Sequence, residues 1–309
     1  MVGYALRRLI VAVPTIFIII TVAFFMMRAA PGSPFDLERP LPPEIYARVQ
    51  AAYDLDKPVY QQYLAYLGDL LRGDLGPSLK YRDKTVRQIL QEGAPVSAVV
   101  GFSSLLLSIV VGGALGVIAA LRQNRPGDFA VMGVALVGIA IPPFVVGPLL
   151  QLLFGVHLDW LPTAGLDRGR ITFDRMILPV ITLALPQIAI LSRLMRASMI
   201  EVIRSNYIRT ARAKGLSETR VVLAHALRAA APPLVSYLGP AAAALVTGSL
   251  VIEQIFQLPG IGRQFVIGAL QRDYTLVMGV VILYSTLIIL MNLVADLALA
   301  WLDPKVRDQ

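Results

Sequence analysis

The sequence predicts an all-α integral membrane protein with six transmembrane helices and a small α-rich insertion outside the membrane. Three observations carry this. Hydrophobic residues make up 56% of the 309-residue chain. They gather in blocks close to the ~20 residues that take a helix across a bilayer. The polar residues fall into a few long interruptions instead of alternating with apolar ones. Mean hydropathy is +0.68. The absence of cysteine leaves the location of the loops open. A net charge of +8 points to nucleic acid only when it forms a patch on a soluble surface. Here it belongs to loops between membrane spans, and no nucleic-acid partner is expected.

The first apolar block runs from Leu9 to Met27 behind Arg7 and Arg8. It is longer than a signal-peptide core and Pro31 follows closely, so residues 1–30 read as an uncleaved anchor. Residues 31–93 are polar and rich in Pro and Gly. Within them, Pro42–Asp54 and Pro58–Arg72 read as amphipathic helices opened by proline, and Gly73–Pro77 as a turn cluster. A unit of this size has a thin core and is expected to lean on the membrane helices or on a partner.

The remaining core, residues 94–309, holds five more blocks. Pro95–Leu121 carries Ser108, Gly112 and Gly116 at four-residue spacing, a ladder for close helix approach within the chain or to another subunit. Phe129–Val156 is interrupted by Pro142, Pro143 and Pro148, a break tolerated at membrane depth only where protein or a water-filled cavity re-satisfies the backbone. Ile177–Ile200, Leu234–Phe256 and Leu276–Leu302 complete the set. Six spans put both termini on one side. That side also carries Arg122, Arg125 and the eight basic residues from Arg193 to Arg228. The bias of short basic segments toward the cytoplasm places both termini there and residues 31–93 outside.

The long basic interruption, residues 204–233, reads as helix, break, helix, break. Asn206–Ala213 is a helical run, Lys214 and Gly215 end it, Ser217 is placed to cap a second helix, Glu218 sits at that helix's positive end, and Pro232–Pro233 close the unit. A surface helix that only holds anionic membrane lipid needs no programmed glycine break. Two short helices anchored to the spans on either side suit a rigid projection for a cytoplasmic partner.

Elsewhere, chemistry is sparse. No G-x4-G-K-[ST] phosphate loop occurs. His157 and His225 lack metal-ligand spacing, and no nucleophile–base constellation is evident. Asp296, inside the last span with Asn292 one turn away, is either an ion- or substrate-contacting group or part of helix packing. Glu253 and Asp273 bracket the last outer loop, where they either meet substrate or form an exposed face.

The stretch Tyr207–Leu216 resembles the cytoplasmic loop E-A-A-x3-G-x9-I-x-L-P of binding-protein-dependent ABC importer permeases. Gly215 matches the glycine, Ala211 the third position and Leu227 the leucine, while Arg209, His225 and Arg228 replace the acid, isoleucine and proline. Those departures are similar to the peptide-transport branch. FFMMRAAPGSPF, YDLDKPVYQQYLAYLGDLLRGDLGPS, GVIAALRQN, LPGIGRQF and LDPKVR extend the resemblance to B-type permease subunits of oligopeptide importers over essentially the whole chain. The resemblance implies a type I ABC importer transmembrane domain that is not itself an enzyme. It implies no cofactor bound by this chain, and ATP and Mg used by two partner ATPase subunits. A C-type permease, an extracytoplasmic peptide-binding protein and a peptide substrate would complete the system. Ser205, Asn206, Tyr207, Ile208, Arg209, Thr210, Ala211, Arg212, Ala213, Lys214, Gly215 and Leu216 would form the ATPase-coupling element. Related permeases also serve dipeptides, glutathione, nickel chelates or oligosaccharides. An ion-coupled secondary transporter using Asp296 is the more distant reading.

Overall fold

The computed structural model describes residues 2–29, 42, 44, 48, 51, 55–81 and 83–302. Most of the expected helix over 42–54 and the 303–309 tail lie outside the described residues. Among the described residues five helices are long and apolar enough to cross a membrane, and a pair bent by 102° makes six when it is counted as one span. Among the described residues no named β-strand occurs; residues pair only in isolated bridges such as Pro77 with Thr85.

Helix α1 (Val2–Ala29) leaves Ile10, Val13 and Met26 exposed and buries Ile20 and Phe24 against Met278. Apolar side chains exposed around most of a helix suit contact with lipid tails. Helix α2 (Val59–Leu71) lies across its end, with Tyr63, Tyr66 and Leu67 packed on Phe24 and Ile20 and the Thr21 and Tyr63 hydroxyls 2.6 Å apart. The described helix of the insertion therefore leans on a span. The turn cluster that follows has Gly73 and Gly76 at φ +76° and +80°, a region glycine enters without Cβ strain.

Helix α3 (Val86–Leu121) begins ahead of Pro95, because Thr85 and Gln88 form a capping box and Val86, Ile89 and Leu90 bury against Leu276 and Val280. Pro95 sits within its first third without ending it. A π-helical turn, Ser108–Gly112, lies mid-span.

The small-residue ladder of α3 packs against α6 (Phe173–Ile203). Ser104 and Ser108 Oγ donate to the carbonyls of Val180 and Ala184, each 3.2 Å away and each 76 residues on. A Cβ on Gly112 would stand 2.8 Å from the Ile188 carbonyl, and one on Gly116 2.5 Å from that of Ser192. The register is constant, so the two helices run parallel with their backbones nearly touching. The ladder serves packing within the chain.

Between them, α4 (Pro126–Ala140) and α5 (Pro143–His157) meet at the 102° bend, where Pro142 and Pro143 deny the helix its donors. Helix α10 (Pro232–Ile255) packs on α12 (Tyr274–Leu302), with Asn292 filling the space left by Gly239, and the short α11 (Ile261–Leu270) connects the two. Between α6 and α10 lies the basic interruption: α7 (Asn206–Ala213), α8 (Glu218–Arg220), a π-helical turn (Val221–Ala226) and α9 (Leu227–Ala230).

Candidate functional site

The hairpin is built from a break that only its sequence allows. Lys214 stays near the helical region, Gly215 turns to φ +78°, and its amide donates to the Arg212 carbonyl at 2.9 Å. A Cβ on Gly215 would meet nothing within 4 Å, so the glycine is required by backbone conformation and not by space. Ser217 adopts the extended backbone of an N-cap, but its side chain makes no capping hydrogen bond. The break is closed by charge instead: Arg212 Nη2 and Nε donate to Glu218 Oε1 and Oε2 at 2.6 and 3.1 Å. The hydrogen-bonded guanidinium holds the Glu218 carboxyl below the usual range and is itself held charged. Pro232 and Pro233 end the hairpin by opening α10.

The hairpin has an inner and an outer face. Ile208 and Ala211 are buried in one cluster with Leu191, Met195 and Met199 of α6 and with Val221 and Val222 beyond the break. Asn206, Tyr207, Arg209, Thr210, Arg212, Ala213, Lys214 and Gly215 are exposed, while Ser205 and Leu216 are half-buried. The expected coupling residues thus divide by helix face into an anchor and a presented surface. Arg204 Nη2 donates to Gln123 Oε1 at 3.0 Å, and Ser198 Oγ to the Ala230 carbonyl at 2.9 Å, fixing the hairpin to the neighbouring turn and to its own second arm.

A second anchor was not visible in the sequence. Asp128, at the start of α4 and 1% exposed, accepts from Arg196 Nε and Nη2 at 2.6 and 2.7 Å and from the Asn124 amide at 2.9 Å. This pairing ties the short turn after α3 to the helix that enters the hairpin. Its partners are 68 residues apart, and no local spacing announces it.

The other candidate residues do not converge with the hairpin. Glu253 is fully buried. It accepts from Ser97 Oγ at 2.6 Å and the Arg263 amide at 3.2 Å, while Ser97 also receives the Ile261 amide at 2.9 Å. Gly260 and Gly262 leave room for its carboxylate, since a Cβ on either would press on it. Asp273 is also fully buried. It accepts from Ser78 Oγ, from the Leu79 amide at 3.2 Å, and from the Leu276 amide at 3.1 Å as the N-cap of α12. Neither lies on an exposed loop face. Asp296 pairs with Arg8 of α1 at 3.1 Å, and Asn292 Nδ2 donates to the Ile288 carbonyl at 2.9 Å. Beside Glu253, an apolar cleft of about 210 Å³ opens between α3, α10 and α12, with Ser97, Ser249 and Tyr284 among its walls. Among the described residues no group of three or more His, Asp or Glu is arranged to hold a metal ion.

Two family models match: the binding-protein-dependent transport system inner membrane component over residues 112–308, and the N-terminal membrane component of the same systems over residues 1–80. The chain is 51% identical to the oligopeptide transport system permease protein OppB of Salmonella typhimurium over 307 residues, 99% of this chain and all of that protein. It is 48% identical to OppB of Haemophilus influenzae, with 99% of this chain and all of that protein covered. Identity to the dipeptide transport system permease protein DppB of Bacillus subtilis is 41%, over 99% of this chain and 98% of that protein. The inward-facing MetNI methionine ABC transporter superposes with a TM-score of 0.58 at 18% identity, covering 70% of this chain and 97% of that one, which shows the shared type I importer fold. With the multi-pass helical architecture and near-complete identity coverage together, the chain belongs to the binding-protein-dependent transport family of inner membrane components.

Proposed function

We propose that this chain is a transmembrane subunit of an ATP-driven peptide importer, with oligopeptides as cargo. It forms half of the translocation path together with a C-type permease. The observation that carries the reading is the hairpin: an exposed basic surface on a rigid helical break, anchored from beneath by Ile208 and Ala211 and continuous with two spans. Within the hairpin 204–233, the exposed face of Ser205–Arg220 seats in a groove of a partner ATPase. ATP and Mg act there, while this chain binds no cofactor and catalyses nothing. ATP-driven closure of the ATPase pair draws the hairpins together and opens the path outward to a peptide-binding protein; hydrolysis resets it.

In this reading residues 1–30 anchor the chain, 31–93 face the binding protein on the extracytoplasmic side, and 94–309 form the permease core. Both termini are cytoplasmic. The apolar cleft beside Glu253 is the chain's contribution to the path, with walls that take peptide side chains without reading their sequence. Identity to both OppB and DppB relatives supports peptide cargo, and the higher value favours oligopeptides over dipeptides.

Purification of the chain from its native membrane, followed by mass spectrometry, tests the assembly. A second permease and P-loop ATPases are expected to remain attached. Because the chain has no native cysteine, Tyr207→Cys supplies a unique thiol that should cross-link to an ATPase subunit in inside-out vesicles. A chain that purifies alone and transports on an ion gradient without ATP overturns the reading.

A further inference from the structure

A second cavity, of about 260 Å³, lies where α1, α2 and the start of α12 meet, at the end of the bundle away from the basic hairpin. It is smaller than the roughly 300–1,000 Å³ typical of drug-sized pockets. Its walls are mostly apolar, with Phe24, Met27 and Met278 among them, but they also carry a few charged and polar groups. Arg28, the last basic residue of α1, lies over the rings of Phe24 and Tyr274 at 5.4 and 5.3 Å from their centres. Among the described residues no carboxylate is ion-paired with it. Cation–π contact holds a guanidinium in place but leaves its in-plane N–H groups free to donate.

The same cavity is lined by Gln62 and Tyr66. Gln62 is 8% exposed and its Nε2 donates to the Leu55 and Lys57 carbonyls at 3.3 and 2.7 Å, which fixes the amide's orientation. Its Oε1 is buried without a hydrogen-bond partner, and so is the Tyr66 hydroxyl. A buried polar atom left unpaired is destabilising, so two on residues that line one cavity mark a place where a ligand supplies what the chain does not. Burial pushes the Tyr66 hydroxyl up to about 12, so it stays neutral and able to donate. Asp69 and Asp74, the latter accepting from the Gly76 amide at 2.9 Å, also line the cavity.

We propose that this cavity binds a small zwitterion, its anionic group held by Arg28 and Tyr66 and its N–H-bearing ammonium by Gln62 Oε1 and the Asp69–Asp74 wall. Two sources carry that chemistry: a free amino acid from the aqueous side, and the headgroup of phosphatidylethanolamine from the adjoining bilayer. Phosphatidylcholine lacks the N–H donors and does not satisfy Gln62.

The test uses the full chain with its co-purifying subunits in nanodiscs. In phosphatidylcholine–phosphatidylglycerol discs, L-leucine is titrated by calorimetry beside leucinamide and N-acetyl-leucine, which each lack one charge. In discs containing phosphatidylethanolamine, native mass spectrometry counts retained lipid. Arg28→Gln removes the cation. Tyr66→Phe removes a hydroxyl that has no partner in the fold, so it leaves folding intact and keeps the test decisive. Saturable leucine binding, at least tenfold weaker for both derivatives, or retention of one phosphatidylethanolamine identifies the source. Either must weaken at least tenfold in Arg28→Gln and severalfold in Tyr66→Phe. Absence of both ligands, or binding that Tyr66→Phe leaves unchanged, overturns the site. None of these outcomes depends on which cargo the importer carries.

Discussion

Arg212 and Glu218 grip one another across the Gly215 break by two parallel hydrogen bonds of 2.6 and 3.1 Å, so the turn between the hairpin's helices is closed by a charge pair and not by a hydroxyl cap. Both side chains are substantially exposed, and solvent screens such pairs to about 0.2–1 kcal/mol. Arg212→Ala and Glu218→Ala are each expected to leave membrane insertion intact and lower substrate-stimulated ATPase activity severalfold. The double variant should be no worse than either single one. Because the folded-state pKa of Glu218 is depressed, the pair's contribution is full above the ordinary glutamate value of about 4.3 and fades as pH falls through the lower folded value. Hydrogen exchange of the Gly215 region across that acidic window checks it.

Gly215 permits a graded test. At φ +78° with open space around it, a side chain meets only backbone strain, roughly 1–2 kcal/mol. Gly215→Asn, which tolerates this region, should retain most ATP-dependent uptake. Gly215→Pro cannot take a positive φ and should abolish coupling while the protein still reaches the membrane. Uptake by the proline variant at the native rate would sink the hairpin assignment.

Gly116 answers to a different constraint. A Cβ there would lie 2.5 Å from the Ser192 carbonyl and 2.6 Å from Met195 Cβ, so even Gly116→Ala forces two backbones apart. Overpacking of this kind costs about 1–3 kcal/mol. The expected result is a lower melting temperature for the purified protein, with Gly133→Ala, where nothing lies within 4 Å, as an unaffected control.

These two glycines also show what could be read from sequence. The Gly215 break, the Pro142–Pro143 bend and the Ser108–Gly112–Gly116 ladder are local: a residue's own conformational limits or a four-residue spacing encodes them. The surroundings of Glu253, Asp273 and Asp128 are not. Ser97 lies 156 residues from Glu253 and Ser78 lies 195 from Asp273, and polar residues at such separations carry no periodicity. The same holds for Arg8 with Asp296, where the intramembrane acid stood out but its partner did not. Helix α3 began ahead of its proline because burial of Val86 and Leu90 outweighed a propensity signal at Pro95.

Asp296 separates two transport mechanisms. If its role is to pair with Arg8 at 3.1 Å, Asp296→Asn should weaken that helix contact yet leave uptake dependent on ATP and indifferent to proton or sodium gradients. Loss of an ion-gradient dependence present in the parent protein would instead make it a coupling site.

Glu253→Ala leaves Ser97 Oγ and the Arg263 amide without their acceptor in a buried site. A stability loss of about 1–3 kcal/mol is expected, read as a fall in melting temperature. Ser97→Ala should produce a smaller fall in the same direction, since the amide of Arg263 keeps its partner.

The constant 76-residue offset along α3 and α6 has a mechanical meaning. Serine hydroxyls seated on opposing carbonyls and glycines with no clearance prevent the two rods from sliding or rolling past each other. They form one stiff beam, with the hairpin fixed at its end by Ile208 and Ala211. If the hairpin has the coupling role proposed above, a stroke delivered at that end is passed along the beam's length as tilt. Any yielding must therefore occur at the beam's borders, where Ser97 and Glu253 stitch it to the helix beyond.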